Sequence, residues 1–242
     1  MLNLNTIYND DCFKVLSEVE DKSVDYAFTS PPYNRKRNDK YSFYDDTITD
    51  YYGFLVRFTD ELLRVSKHNV FINIQKNFYN KEDVFKYIGH YADKIQEIII
   101  WGKTNPMPAS GFSITNAYEF IIVIGDEKVK SNHTYTKNLL ITSINPDTSK
   151  IHKAVMNKKV SDWFVEMFTK EGDLILDPFF GLGTTAISCL ERHRNYVGIE
   201  INEEYVKVAQ ERINKAKKEL ERNEASRKTS EERFVLNMES FG

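Results

Sequence analysis

The sequence predicts an α/β protein: a parallel, three-layer sheet with helices on both faces, in one well-cored domain. Three observations carry that reading. Strand-sized apolar runs alternate with stretches of helical periodicity from Val24 to Leu220. The strand Asp173–Asp177 opens into a glycine-bearing turn, Pro178–Thr185, and then a helix, Ala186–Arg192. The next strand, Asn195–Glu200, ends on a carboxylate. Strands separated by helices pair in parallel, because the helical crossover carries the chain back to the end of the sheet where the previous strand began.

Each element has its own signal. Val24–Phe28 reads as a buried strand. Between Thr47 and Val65, Tyr51, Phe54, Leu55, Phe58, Leu62 and Leu63 recur three and four apart, which is helical spacing. Val70–Ile74, Ile95–Trp101 and Tyr118–Ile124 are apolar strands, with a helix over Lys81–Tyr91 between the first two. Glu127–Ile151 is polar and irregular, and is expected to be a small inserted, substrate-facing segment. Ser161 is placed as the cap of a helix carrying Trp163, Phe164, Met167 and Phe168, closed by Gly172. Asn202 caps a long final helix with Glu203 and Glu204 in its first turn, where the helix dipole favours acid. Residues 1–221 form the main domain in this reading, and 222–242 a polar C-terminal tail.

The turn after the first strand carries the chemistry. Thr29-Ser30-Pro31-Pro32-Tyr33-Asn34 is rigid, since two prolines fix φ. An exocyclic amine on a nucleobase is a poor nucleophile, because its lone pair is delocalised into the ring. Hydrogen bonds to both amine protons localise that pair. The Ser30 hydroxyl and the Pro31 carbonyl supply two acceptors, and Tyr33 a flat face for an extruded base. The plain alternative is an ordinary strand exit, for Ser-Pro and Pro-Pro are common turn residues.

The second half carries a nucleoside site. A strand, Gly181-x-Gly183, a helix and the acid Glu200 allow close backbone approach and a carboxylate for two ribose hydroxyls. The third glycine of a dinucleotide fingerprint is absent, with Thr184-Thr185 in its region. Nothing calls for a pyrophosphate, so S-adenosylmethionine fits better than a dinucleotide.

Composition narrows the class. The chain has 242 residues, net charge −3 and two distant cysteines, Cys12 and Cys189. No apolar run is long enough to span a bilayer, so no membrane partner is expected, and Met1–Asn5 lacks signal-peptide features. The five histidines are scattered without ligand spacing, so no metal is expected. A reducing cytoplasm fits. Net charge hides segregation: Arg35, Lys36, Arg37 and Lys40 form a basic loop beside the Ser-Pro-Pro turn, a candidate for DNA phosphates. Lys150, Lys153, Lys158 and Lys159 form a second cluster.

The chain resembles the amino-methylating DNA methyltransferases of beta-type, permuted motif order, from about Tyr8 to about Val208. In that group the catalytic motif precedes the cofactor motif, as Thr29–Asn34 precedes Asp177–Thr185 here. The resemblance implies a Rossmann-like, S-adenosylmethionine-dependent methyltransferase fold, with a mostly parallel sheet and an antiparallel edge strand. It implies that Ser30, Pro31, Pro32 and Tyr33 are catalytic. It implies that Asp11 contacts the adenine of the cofactor, that Asp177, Phe179, Gly181, Gly183 and Thr184 form the cofactor loop, and that Glu200 binds ribose. His152 sits where the family lines the methionine end. Ile100–Pro108 and Thr115–Glu119 look like motifs flanking the base pocket. Trp101 is open between core and base contact, Lys103 between surface and DNA contact. Three departures stand out: Leu182 replaces a serine, Phe180 a small residue, and Lys153 the proline after His152.

The resemblance implies DNA as partner, with a homodimer and a cognate restriction endonuclease as further candidates. Ser at the first motif position leans toward cytosine N4, whereas Asp leans toward adenine N6. Two rivals remain: methylation of RNA or of a protein amide, the amide enzymes alone being disfavoured by the motif order, and a non-catalytic DNA-binding subunit, which the intact motifs disfavour.

Overall fold

Alternation along the strands decides which layer each side chain joins. In the computed structural model, residues 2–35, 46–109, 111, 113–144 and 155–239 are described, with side chains to residue 226. The elements are β1 (Thr6–Tyr8), α1 (Cys12–Ser17), β2 (Tyr26–Thr29), α2 (Tyr51–Val65), β3 (Val70–Ile74), α3 (Lys81–His90) and β4 (Ile95–Lys103). There follow β5 (Tyr118–Ile124), β6 (Leu139–Thr142), α4 (Lys158–Phe168), β7 (Leu174–Asp177), α5 (Thr184–Leu190), β8 (Asn195–Ile199) and α6 (Glu203–Glu239).

The described strands form one sheet in the order β1-β8-β7-β2-β3-β5-β4-β6. Val70, Ile72 and Ile74 join Leu55, Phe58, Leu62, Val84 and Tyr87 in one core. Phe71 turns the other way, toward Phe164, Phe168, Ile187, Ala209 and Ile213. The expected three layers are therefore present, with α1, α2 and α3 on one face and α4, α5 and α6 on the other. Phe28 stacks on Phe164 with centroids 4.3 Å apart.

Four local expectations change. The antiparallel strand is β5, and it is not an edge strand: it lies between β3 and β4, with β6 parallel to β4 beyond it. β5 is buried almost throughout, which suits an interior position. The cap of α4 is Asn157, whose side chain accepts from Lys159 N; Ser161 lies inside the helix, buried and hydrogen-bonded to Ser188 of α5. The chain after residue 222 continues as α6 to Glu239. Residues 139–142, within the expected polar insertion, are β6.

β7 and β2 are neighbours at the centre of the sheet, and the chain winds outward from them in opposite directions. Open α/β sheets bind ligands in the crevice such a reversal leaves at the carboxyl ends of the strands. Both sequence motifs emerge there.

Candidate active site

The crevice holds a cavity of about 350 Å³, within the roughly 300–1,000 Å³ usual for ligand sites. Ser30, Pro31, Pro32, Tyr33 and Arg35 line it from the β2 side, and Asp177, Phe179, Gly181, Thr184 and Glu200 from the β7–β8 side. Asp11 closes a third side. The two motifs, separated by about 150 residues of chain, thus form one site. Gly183 does not line it. Its φ of 73° starts α5, and a Cβ there would meet Phe180 at 3.1 Å. Lys36, Arg37, Lys40 and His152 lie outside the described residues.

The Ser-Pro-Pro loop is clamped by side chains from outside it. Tyr51 Oη donates to the Pro32 carbonyl at 2.8 Å. Asn77 and Asn80 donate to the Tyr33 carbonyl at 2.7 and 2.8 Å. Asn34, with φ of 48°, brackets the backbone N–H and carbonyl of Ile48. The Pro31 carbonyl has no hydrogen-bond partner among the described residues. The loop is thereby held with an acceptor to spare, which is preorganisation in the physical sense.

Beneath the loop lies a polar cluster that the motif reading did not anticipate. Ser30 Oγ is 2.5 Å from Tyr33 Oη, which donates to Glu119 Oε2 at 2.9 Å. Asn73 Nδ2 donates to Tyr33 Oη and to Glu119 Oε2, each at 2.7 Å. Lys103 Nζ pairs with Glu119 Oε1 at 2.5 Å, and both side chains are buried. Burial pushes the Tyr33 hydroxyl well above its usual range, with the Glu119 charge adding to it. Lys103 is therefore neither surface nor free for DNA. Trp101 is core, with its Nε1–H on Thr142 Oγ1 at 2.8 Å.

Arg35 also turns inward. Its N–H donates to Asp46 Oδ2, its guanidinium to Gln75 Oε1, and its head lies 5.4 Å from the Tyr33 ring centroid. Lys158 of the second basic cluster is paired with Asp162 and Glu191.

On the other side, Glu200 Oε2 accepts from Gly181 N at 2.8 Å and Oε1 from Asn202 N at 2.9 Å. Each oxygen keeps further acceptor capacity, so the pair suits two vicinal hydroxyls. Burial raises the Glu200 carboxyl above its ordinary range, against the pull of those backbone N–H groups. Asp177 is buried and also raised by burial; its oxygens accept from Thr29 and Thr185, each at 2.7 Å. Asp177 thus organises the loop as well as lining the cavity. Asp11 Oδ1 caps α1 through Phe13 N and Lys14 N.

Sequence reasoning missed an aromatic wall. Phe13 and Phe54 meet edge to face with centroids 5.8 Å apart, and Phe179 follows 5.9 Å from Phe54. Phe54 was visible as a helical apolar position, but periodicity does not say that it borders a cavity.

The chain belongs to the N6_N4_Mtase family (DNA methylase), which it matches over residues 24–211. The family uses S-adenosylmethionine. The chain is 28% identical over 249 residues to the type II methyltransferase M.HinfI of Haemophilus influenzae, covering 88% of this chain and 69% of that protein. It is 27% identical to the type II methyltransferase M2.DpnII of Streptococcus pneumoniae, over 87% of this chain and 90% of that one. The type II methyltransferase M.MwoI of Methanothermobacter wolfeii is 36% identical over 72% of this chain, which spans only 28% of that relative.

Two solved structures share the fold. PvuII DNA methyltransferase (cytosine-N4-specific) superposes with a TM-score of 0.73 at 18% identity, covering 89% of this chain and 92% of that one. M1.HpyAVI in complex with SAM gives 0.64 at 22%, covering 86% and 98%.

Proposed function

We propose that this protein is a site-specific DNA methyltransferase acting on the exocyclic amine of a flipped-out base, with cytosine N4 favoured over adenine N6. One observation carries the reading: Ser30, at the mouth of a clamped loop, and Glu200, an acid with spare acceptor capacity, line a single cavity. S-adenosylmethionine, when bound, supplies an electrophilic methyl on a sulfonium. The residues present fit it, because Glu200 suits the ribose hydroxyls and the Asp177–Thr184 loop admits close approach.

Ser30 Oγ and the Pro31 carbonyl each accept an amine proton of the base, localising the lone pair toward the methyl donor. Tyr33 offers the ring face turned away from Arg35 as a stacking platform. No strong general base is required, since the methylated amine is acidic enough to release its extra proton to a weak acceptor. The preference for cytosine N4 rests on Ser, rather than Asp, at position 30. Mass spectrometry of deoxynucleosides from treated DNA tests it: N4-methyl-2′-deoxycytidine is expected, and N6-methyl-2′-deoxyadenosine alone would reverse the choice of base.

Lys36, Arg37 and Lys40 are proposed to meet phosphates, which position the duplex without reading its sequence, whereas Arg35 is held inward by Gln75 and Asp46. Neutralising the three lysine and arginine positions at 36, 37 and 40 should flatten the salt dependence of DNA binding; an unchanged slope removes them from the interface. Residues 127–151 are proposed to carry target recognition, on the stretches flanking β6. Exchanging them with those of a relative should move the methylated site, and unchanged specificity would end that assignment. The proposal places the enzyme in a reducing cytoplasm, where Cys12 and Cys189, free and buried, persist as thiols.

A further inference from the structure

The cluster under the Ser-Pro-Pro loop contains a directional constraint that the loop itself does not supply. Glu119 Oε2 accepts two hydrogen bonds, from Tyr33 Oη and Asn73 Nδ2, while Oε1 faces the Lys103 ammonium. An ionised carboxylate accepts only, so every group around it must donate. The amide of Asn73 is held with Nδ2 toward Glu119, even though its Oδ1 then finds no partner among the described residues. Tyr33 has one proton, and the charge-assisted bond to Glu119 claims it. At 2.5 Å from Ser30, Tyr33 Oη then serves as acceptor, and the Ser30 hydroxyl donates to it in preference to the Asn73 backbone carbonyl at 3.4 Å.

We propose that Glu119 is a positioning residue that sets the polarity of this chain, Ser30 to Tyr33 to Glu119, and so leaves Ser30 Oγ facing the cavity as an acceptor for the base amine. The inference rests on the amine-methylating reading above and deepens it. Without the carboxylate, the Tyr33 proton is free to point at Ser30. Ser30 would then turn its own proton outward, against the amine proton it should receive. Lys103 enforces the arrangement, because its ammonium needs an acceptor at Oε1. In a Glu119→Gln protein, Lys103 draws the amide oxygen to itself and leaves the amide NH₂ facing Tyr33. That geometry reverses the chain.

The decisive comparison is between Glu119→Gln and the Glu119→Gln/Lys103→Met double variant. Single-turnover methyl transfer should fall at least tenfold in the first, with cofactor and DNA dissociation constants within twofold of wild type. It should recover at least threefold in the second, because the amide oxygen is then free to turn toward Tyr33. A purely structural role predicts the opposite order, since the double variant has lost one more polar group. In parallel, the Cζ resonance of Tyr33 in ¹³C-tyrosine-labelled protein, assigned by its loss in Tyr33→Phe, should move in Glu119→Gln and return toward its original position in the double variant.

A rate within twofold of wild type in Glu119→Gln, a double variant no faster than the single, or an unmoved Tyr33 resonance would each overturn the proposal. If Glu119→Gln does not fold, the double variant, which buries no unpaired ammonium, must still transfer methyl within tenfold of wild type. Should the wild-type protein methylate no DNA base, the functional reading fails by itself, and the Tyr33 resonance still decides the polarity of the chain.

Discussion

Thr29 Oγ1 donates to Asp177 Oδ1 across 2.7 Å, joining the last residue of β2 to the last residue of β7 at the centre of the sheet. The other oxygen of Asp177 accepts from Thr185 in the first turn of α5. One buried carboxylate therefore holds the strand that launches the Ser-Pro-Pro loop, the strand that launches the glycine loop, and the helix that follows. The distance between the two halves of the site is set at this point.

Replacing Asp177 with alanine should loosen both halves at once. Two buried hydroxyls lose their acceptor, at a cost of about 1–3 kcal/mol for each unsatisfied group. Chemical denaturation should report the lost stability, and calorimetry a weakened cofactor. Unchanged cofactor affinity in a destabilised protein would confine Asp177 to folding.

Glu200→Ala should remove two hydrogen bonds to the ribose, on the order of 1.5–3 kcal/mol each for charge-assisted bonds. It also frees Gly181 N, so the loop loses a tether. Titration calorimetry should show cofactor affinity lowered by at least tenfold. Unchanged affinity would mean that the ribose lies elsewhere.

The same carboxyl predicts a pH response. Burial raises Glu200 above its ordinary value of 4.5, and only the ionised form offers all its lone pairs to hydroxyls. Cofactor affinity should therefore decline on acidification while the pH is still above the ordinary glutamate range. Asp177 and Glu200 are both raised, so the folded chain retains protons that the unfolded chain has released. Their contribution to stability is present below the unfolded pKa values and is lost as pH rises through the folded ones. Affinity titrations in buffers spanning pH 4–8, roughly the range bracketing shifted carboxyls, would reveal the first effect. A Glu200→Gln protein should lose it.

Gly198 and Phe180 depend on each other. A Cβ on Gly198 would stand 2.4 Å from Phe180 Cδ2, in a ring already stacked on Tyr196 with centroids 5.9 Å apart. Gly198→Ala should cost about 1–3 kcal/mol as overpacking, and shrinking the ring with Phe180→Leu should return part of it. Thermal melts of the single and double variants would show that coupling, and simple additivity would refute it. The phenylalanine that replaces a small residue in the cofactor loop is thus accommodated by a glycine on β8.

Ser30→Ala should reduce turnover sharply and leave cofactor binding intact, because Ser30 meets the base rather than the Glu200 side of the cavity. Comparing single-turnover rates with calorimetric affinities separates the two. Loss of both together would indicate that the loop had collapsed.

Much of this architecture is written in local patterns. The three-and-four spacing of Tyr51, Leu55, Phe58 and Leu62 announces α2, and the strand-glycine-helix-acid run announces the cofactor half, because both depend on neighbours a few residues apart. β1, α1 and β6 are only 3, 6 and 4 residues long, too short to display a period. Ser161 has the residue type of a cap, yet Asn157 caps α4, and only packing shows that Ser161 faces Ser188.

By itself the sequence determined the class of fold, the Ser30–Tyr33 turn and the acid at Glu200, for turn chemistry and periodicity are properties of short stretches. Only the tertiary structure decided that β5 lies inside the sheet and that Arg35 turns inward. It alone brought Glu119 from β5 and Lys103 from β4 beneath Tyr33, with Tyr33 and Glu119 standing 86 positions apart in the chain. A charged residue in a sequence carries no mark of its partner. Whether it is a solvated surface group or a buried member of a hydrogen-bonded network depends on which strands pair, and that is settled by burial and register across the whole sheet.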